Sequence, residues 1–222
     1  GDHRDLHSFP TRRSSDLGDG TIYQLLYLYH EFVKAVDLQK EVRVVYCDIT
    51  KAFDKVYHPA LVHKLCNSGI SGPLLGWFQS YLTNRTQRVV LQGGLSNWGG
   101  IEAGVPQGSV GLLGLLLFLI YVNDIVDIVR SHIKLYADDV TLFITVDDPT
   151  DSDCSAAILN NDLSAIQKWA NQWLVTFNST KTKTMLVSRK RNPSYSPVHF
   201  QDNTLENVTQ QKYLGLVISS KL

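Results

Sequence analysis

Apolar positions change their spacing several times along this chain, and each change marks an element. Across residues 22–36 they recur at Ile22, Leu25, Leu26, Tyr29, Phe32, Val33 and Val36, a spacing of three and four that predicts a helix with one buried stripe. Residues 42–47 are a short, largely β-branched run, predicting a strand that ends at Asp48. A helix is expected over residues 59–66, with Pro59 in its first turn. Another follows Gly72 and Pro73, carrying Leu74, Leu75, Trp77, Phe78 and Tyr81. Residues 86–91 and the segment approaching Ile101 are separated by Gly93 and Gly94 and predict a hairpin. Residues 104–108 form a turn-rich loop, and a buried helix follows to about Asp127. Residues 133–136 and 140–143 are strand-like runs on either side of Ala137, Asp138 and Asp139. A polar, acidic stretch, 147–153, precedes a long amphipathic helix bearing Ile158, Leu159, Leu163, Ile166, Trp169 and Trp173. Short strands are expected at 184–188 and 213–218. Helices and hairpins are intermixed, which gives an α+β class.

Composition narrows this picture only a little. Of 222 residues, 44% are hydrophobic and 19% charged, as in an ordinary globular core. Twenty-one basic and 21 acidic residues give zero formal net charge. That counts mildly against nucleic-acid binding, but a carboxylate-rich site can cancel a basic groove in the sum. Cys47, Cys66 and Cys154 are far apart, odd in number and without metal-ligand spacing, which predicts a reduced, intracellular protein without a disulfide framework. The strongest apolar run, residues 110–122, is too short to span a bilayer and reads as a buried helix, so no membrane association is expected.

The first residues have neither helical nor strand period. Residues 7–17 resemble the translation of a sequencing-library adapter, so residues 1–17 are set apart as an artefact or tail and 18–222 as the protein proper. The competing reading is a Ser-rich targeting arm with Arg4, Arg12 and Arg13 as its charges.

Asp48 directly follows an apolar strand, and Asp138 and Asp139 sit between two more. Carboxylates at the ends of core strands are costly to desolvate unless a cation or donors compensate them. Such oxygens suit hard divalent cations, and Mg²⁺ keeps its remaining positions for water and substrate phosphates. Asp is equally a favoured turn residue, so residue type and position leave open a metal site and a plain hairpin turn.

Five segments read in order carry a family resemblance. Asp48-Ile49-Thr50-Lys51-Ala52-Phe53-Asp54 resembles motif A of reverse transcriptases, Gly104-Val105-Pro106-Gln107-Gly108-Ser109 motif B, and Tyr136-Ala137-Asp138-Asp139 motif C. Trp173, Phe177, Asn178, Lys181 and Thr182 resemble motif D, and Lys212-Tyr213-Leu214-Gly215 motif E. Ala52 to Val56, the tail ending at Asn123 and Asp124, and Trp173 with Phe177 and Asn178 are similar to non-LTR (LINE-type) retrotransposons of animals.

The resemblance implies a partial right-hand polymerase palm, a small antiparallel sheet with packed helices, its fingers largely missing and its thumb absent. It implies RNA-directed DNA polymerisation with an RNA template, a DNA primer, dNTPs and two Mg²⁺ ions, Mn²⁺ being a substitute. Asp48, Asp138 and Asp139 would be the catalytic, metal-binding carboxylates, Asp139 contributing charge and orientation more than direct ligation. Phe53 would screen the ribose 2′-hydroxyl, or else be a plain core residue. Gln107 would contact the incoming nucleotide or template. Lys181 would neutralise the leaving pyrophosphate, or else be a solvated lysine. Tyr213 and Gly215 would belong to a hairpin that steadies the primer. A ribonucleoprotein in nucleus or cytoplasm is implied, and the chain alone is expected to be inactive.

Residues 110–118 depart from the family by two extra residues, with Leu115 where proline is usual. Two residues rotate a helical face by about 200° unless the loop absorbs them. The alternative is a catalytically inactive relic or a domesticated nucleic-acid-binding module. An EF-hand reading fails, because the spacing of acids that loop requires is absent.

Overall fold

The β-branched run that ends at Asp48 becomes the middle strand of a five-stranded sheet. The computed structural model describes residues 20–105, 113–147, 152–191 and 193–221. Its elements begin with α1 (Thr21–Asp37), β1 (Glu41–Asp48), α2 (His58–Asn67) and α3 (Gly72–Leu82). A ribbon follows: β2 (Arg85–Gln87), β3 (Val90–Leu91), β4 (Gly94–Leu95) and β5 (Gly99–Ile101). Then come α4 (Leu113–Val122), a 3₁₀ turn (Asn123–Ile128), β6 (His132–Tyr136), β7 (Asp139–Val146) and α5 (Ser152–Trp173). The chain closes with β8 (Lys183–Val187), β9 (His199–Phe200), β10 (Asn203–Thr204), β11 (Glu206–Asn207), β12 (Gln210–Tyr213) and β13 (Leu216–Ser219). The mixed order is α+β, as the sequence predicts.

The chain divides into two units. One takes Gly1–Ile49, Ile125–Lys168 and Phe177–Leu222; the other takes Thr50–Asp124 and Trp169–Thr176.

In the first unit the sheet order is β11-β8-β1-β7-β6. β1 is antiparallel to both β7 and β8, and every β1 residue except Asp48 is buried. A strand covered on both faces needs apolar residues at successive positions, which explains its continuous Val-rich run. Val42, Val44 and Tyr46 alternate onto one face, where they pack with Leu28, Phe32, Ala35 and Val36 of α1 and with Phe143, Met185 and Val187. Arg43, of the opposite alternation, is also buried and donates to Ser152 Oγ at the start of α5 (2.5 Å) and to the Ser196 carbonyl (2.8 Å).

The helix α1 forms where expected, but its buried stripe is rotated. Ile22, Leu26 and Tyr29 are exposed, whereas Gln24, Leu28, Phe32, Ala35 and Val36 face the core. The helix carries more apolar residues than it buries, so spacing alone could not select the stripe. Gln24 is held there because its Nε2 donates to the Tyr213 hydroxyl at 3.2 Å. The strand expected over residues 213–218 is also corrected. It is a hairpin, β12 paired with β13, turning at Leu214 and Gly215.

In the second unit, the predicted glycine-centred hairpin is present as β2 paired with β5 and β3 paired with β4. α3 buries only Phe78 and Leu82 and leaves Leu74 and Trp77 exposed. Lys64 of α2 is buried among aromatic rings, its ammonium 4.0 Å from the Trp173 centroid. It donates to the Tyr121 carbonyl and to Asp124, each at 2.6 Å, and Asp124 also accepts from Trp169 Nε1 at 3.0 Å. Burial lowers the Lys64 pKa, against the opposing pull of Asp124. Among the described residues no helix is long and apolar enough to cross a membrane.

Candidate active site

The turn between β6 and β7 is set by strand pairing. Tyr136 pairs with Asp139, leaving Ala137 and Asp138 as a two-residue tip. Ala137 takes a φ of +50°, a left-handed conformation that a non-glycine residue adopts only at a cost. The result presents Asp138 to solvent and starts β7 at Asp139. The register of β1 on β7 then places Asp48 directly opposite Asp139. The two carboxylates predicted from strand ends are therefore neighbours through backbone pairing, not through a flexible loop.

The electrostatics follow from this placement. Burial, then the charges of Asp138 and Asp48, raise the Asp139 carboxyl to about 6. Among the described residues one ammonium stands at ion-pair distance from these carboxylates: Lys181 Nζ lies 3.9 Å from Asp48 Oδ2, with the lysine side chain 68% exposed.

A short turn holds that lysine. Asn178 Oδ1 accepts from the backbone N–H groups of Thr180 (3.1 Å) and Lys181 (3.2 Å), and from Thr180 Oγ1 (2.7 Å). The Asn178 N–H donates to the Asp48 carbonyl at 2.8 Å, and Ile49 bridges to Phe177. Asn favours such self-bonded turns, so a single side chain rigidifies the loop while its backbone ties it to β1.

Tyr213 comes to the same place from β12. Its hydroxyl accepts from Gln24, its ring lies 5.5 Å from that of Tyr46, and burial raises its pKa. A cavity of about 70 Å³ is lined by Tyr46, Cys47, Asp48, Asp139, Val140, Thr141, Lys181, Gln211, Lys212 and Tyr213. Four of the five sequence motifs thus contribute to one cavity wall. Sequence reasoning missed Gln24, Tyr46 and Thr141 there. Gln24, a polar residue one turn before Leu28 on a mostly apolar helix, was the available signal.

The other predicted residues do not line this cavity among the described residues. Phe53 lies in the second unit, half-buried, its ring 4.7 Å from Phe118. Gln107 falls outside the described residues, as does the start, 110–112, of the segment 110–118 that carries the two extra residues. Gly215 sits at the β12–β13 turn with φ +88°. The start of motif B clasps the end of motif A. The Gly104 N–H donates to the Val56 carbonyl, the Val105 N–H to the Phe53 carbonyl, both at 2.8 Å, and His58 Nε2 lies 2.7 Å from the Gly104 carbonyl oxygen.

Among the described residues no three His, Cys, Asp or Glu side chains converge tightly enough to hold a metal ion by themselves. A hard divalent ion that retains water and substrate phosphates needs only one or two protein carboxylates. The donor set suits such an ion: all-oxygen ligands, an Asp139 carboxyl raised by burial and then by its two acidic neighbours, and a local excess of negative charge.

Comparison with known proteins identifies the family. The sequence model described as reverse transcriptase (RNA-dependent DNA polymerase) matches residues 2–218. The chain is 28% identical, over 97% of its length, to a probable RNA-directed DNA polymerase from transposon BS of Drosophila melanogaster, covering 24% of that protein. It is 31% identical, over 93% of its length, to the RNA-directed DNA polymerase from mobile element jockey of the same species, covering 23% of it. The chain therefore spans about a quarter of the length of these relatives. Among solved structures, a telomerase from Candida Tropicalis in complex with a fragment of telomeric RNA matches 94% of this chain and 34% of its own, with a TM-score of 0.59 and 14% identity. At that identity the likeness speaks for the fold, a polymerase palm of mixed helix and sheet.

Proposed function

The chain belongs to the reverse transcriptase (RNA-dependent DNA polymerase) family, among the polymerases of non-LTR retrotransposons, and we propose that the corner formed by Asp48, Asp138 and Asp139 extends a DNA primer on an RNA template by two-metal nucleotidyl transfer. One observation carries this reading. Residues of motifs A, C, D and E, far apart in sequence, line a single cavity beside paired carboxylates.

Asp48 and Asp138 would hold two Mg²⁺ ions, or Mn²⁺ in their place, with Asp139 adding charge and orientation. When bound, the ions would activate the primer hydroxyl and stabilise the leaving oxygen. The chain's own groups do the rest. Lys181, carried on the Asn178 turn, offsets charge on the departing pyrophosphate. Tyr213 and Gly215, in the β12–β13 hairpin, steady the primer end. Phe53 screens the sugar 2′ position, and Gln107 contacts the incoming nucleotide or template. Such an enzyme would act as a ribonucleoprotein in the nucleus or cytoplasm.

The test has two parts. Mn²⁺ titration of the chain, followed by electron paramagnetic resonance, should show binding that Asp138→Asn and Asp48→Asn each weaken about tenfold or more. In a form of the protein that extends a primer on RNA, Asp138→Asn should slow extension by roughly a hundredfold or more. Unchanged extension in that variant would refute the assignment.

A further inference from the structure

Residues 69–101 contain no Asp or Glu, although the chain as a whole has 21. The same stretch holds Arg85, Arg88 and two of the four tryptophans, Trp77 and Trp98. It lies wholly within the second unit, on α3 and the β2–β5 ribbon.

The rings and guanidinium groups are arranged in stacks. Trp77 and Tyr81, one helical turn apart on α3, lie nearly parallel, 5.5 Å between centroids and 14° between planes. The Arg85 guanidinium sits 5.0 Å from the Tyr81 centroid and donates to the Tyr81 carbonyl at 3.3 Å. The Arg88 guanidinium sits 4.6 Å from the Trp98 centroid. Trp77 is 51% exposed and Trp98 62%. Among the described residues no carboxylate is within ion-pair distance of either arginine.

Indole rings left half open beside arginines, in a stretch free of acids, match the demands of one ligand class. Unpaired bases stack on aromatic faces and guanidinium planes, and their phosphates require positive charge without nearby carboxylates. A duplex hides its base faces, so it could use the charges but not the rings. An apolar protein partner would have to strip water from two arginines that have no ion-paired carboxylate among the described residues.

We propose that two neighbouring clusters along the chain, Trp77, Tyr81 and Arg85 on α3 and β2, and Arg88 with Trp98 on the ribbon, bind single-stranded polynucleotide. Bases stack on the exposed tryptophans, and the arginines meet the backbone phosphates. The proposal deepens the polymerase reading, resting on it only for the identity of the strand as template. It gives that strand a landing surface on the second unit.

The experiment uses the full 222-residue chain and fluorescent oligouridine and oligothymidine of about 20 nucleotides, read by anisotropy over a salt series. Trp77→Ala and Trp98→Ala should each weaken binding about tenfold or more. Arg88→Lys keeps the charge, so it should leave the salt slope unchanged while lowering affinity several-fold. The anisotropy is read in EDTA without added metal, which separates failure here from failure of the metal site. With the unaltered chain, photo-crosslinking of 4-thiouridine oligonucleotides should map to residues 77–98. Unchanged affinity in both tryptophan variants, preference for duplex competitor, or crosslinks confined to other residues would each overturn the proposal.

Discussion

Asp48 and Asp139 form the final opposed pair between β1 and β7, so backbone register brings two carboxylates together. The Asp139 carboxyl is raised from 3.8 to about 6 by burial first and then by Asp138 and Asp48. The folded state therefore binds this proton more tightly than the unfolded chain. Its stabilising contribution is full below pH 3.8 and is lost as pH climbs through about 6. Thermal melts of the metal-free chain should show this loss between those limits, and Asp139→Asn should flatten that part of the profile. Added Mn²⁺ should raise the melting temperature more at pH 7 than at pH 5, since it competes with protons for the same oxygens. An identical pH profile in the variant would contradict the assignment of the shift.

Gly104 cannot carry a side chain without displacing backbone. Its φ is +95°, and an added Cβ would lie 2.9 Å from the Asp54 carbonyl oxygen. Gly104→Ala should destabilise the chain by roughly 2–3 kcal/mol in urea unfolding, combining positive-φ strain with the clash. A change below about 0.5 kcal/mol would mean the clasp between residues 53–56 and 104–105 is soft.

Asp124 is the charge partner of a lysine that is almost fully buried. Asp124→Ala leaves the Lys64 ammonium with only the Tyr121 carbonyl and ring faces, and removes the acceptor for Trp169 Nε1. Because the Asp124 side chain is itself 44% exposed, the expected loss is about 1–3 kcal/mol, below that of a fully buried pair. Chemical denaturation measures it, and double-mutant comparison with Lys64→Met isolates the pair.

The three cysteines should separate cleanly by reactivity. Cys66 and Cys154 are exposed, whereas Cys47 lies within β1, where burial pushes its thiol up to about 12. Only a thiolate attacks alkylating reagents at a useful rate. Iodoacetamide at pH 8 should modify Cys66 and Cys154 promptly and Cys47 only after unfolding. Early modification of Cys47 would show that β1 opens readily.

Much of this was legible in the chain itself, for particular physical reasons. Asp48, Asp138 and Asp139 stood out because acids rarely end apolar strands, and strand ends stay where register puts them. The exposed face of α3 and the rotated stripe of α1 were not legible, since each helix carries more apolar residues than it buries and only tertiary neighbours choose among them. The hairpin at residues 210–219 was misread as one strand because its turn, Leu214 and Gly215, is short and half apolar. Gln24, Tyr46 and Thr141 carry no motif; they matter because folding sets them beside Tyr213 and the cavity.

The Asn178 turn has a consequence for how this protein can vary. One backbone bond to the Asp48 carbonyl and one ammonium near the Asp48 carboxylate are delivered by segments only three residues apart. Inserting or deleting a residue among 179, 180 and 181 would shift the lysine without releasing the anchor. This stretch should therefore be fixed in length even where its side chains drift, a rule of spacing more than of identity that sequences of functional copies can be sorted by.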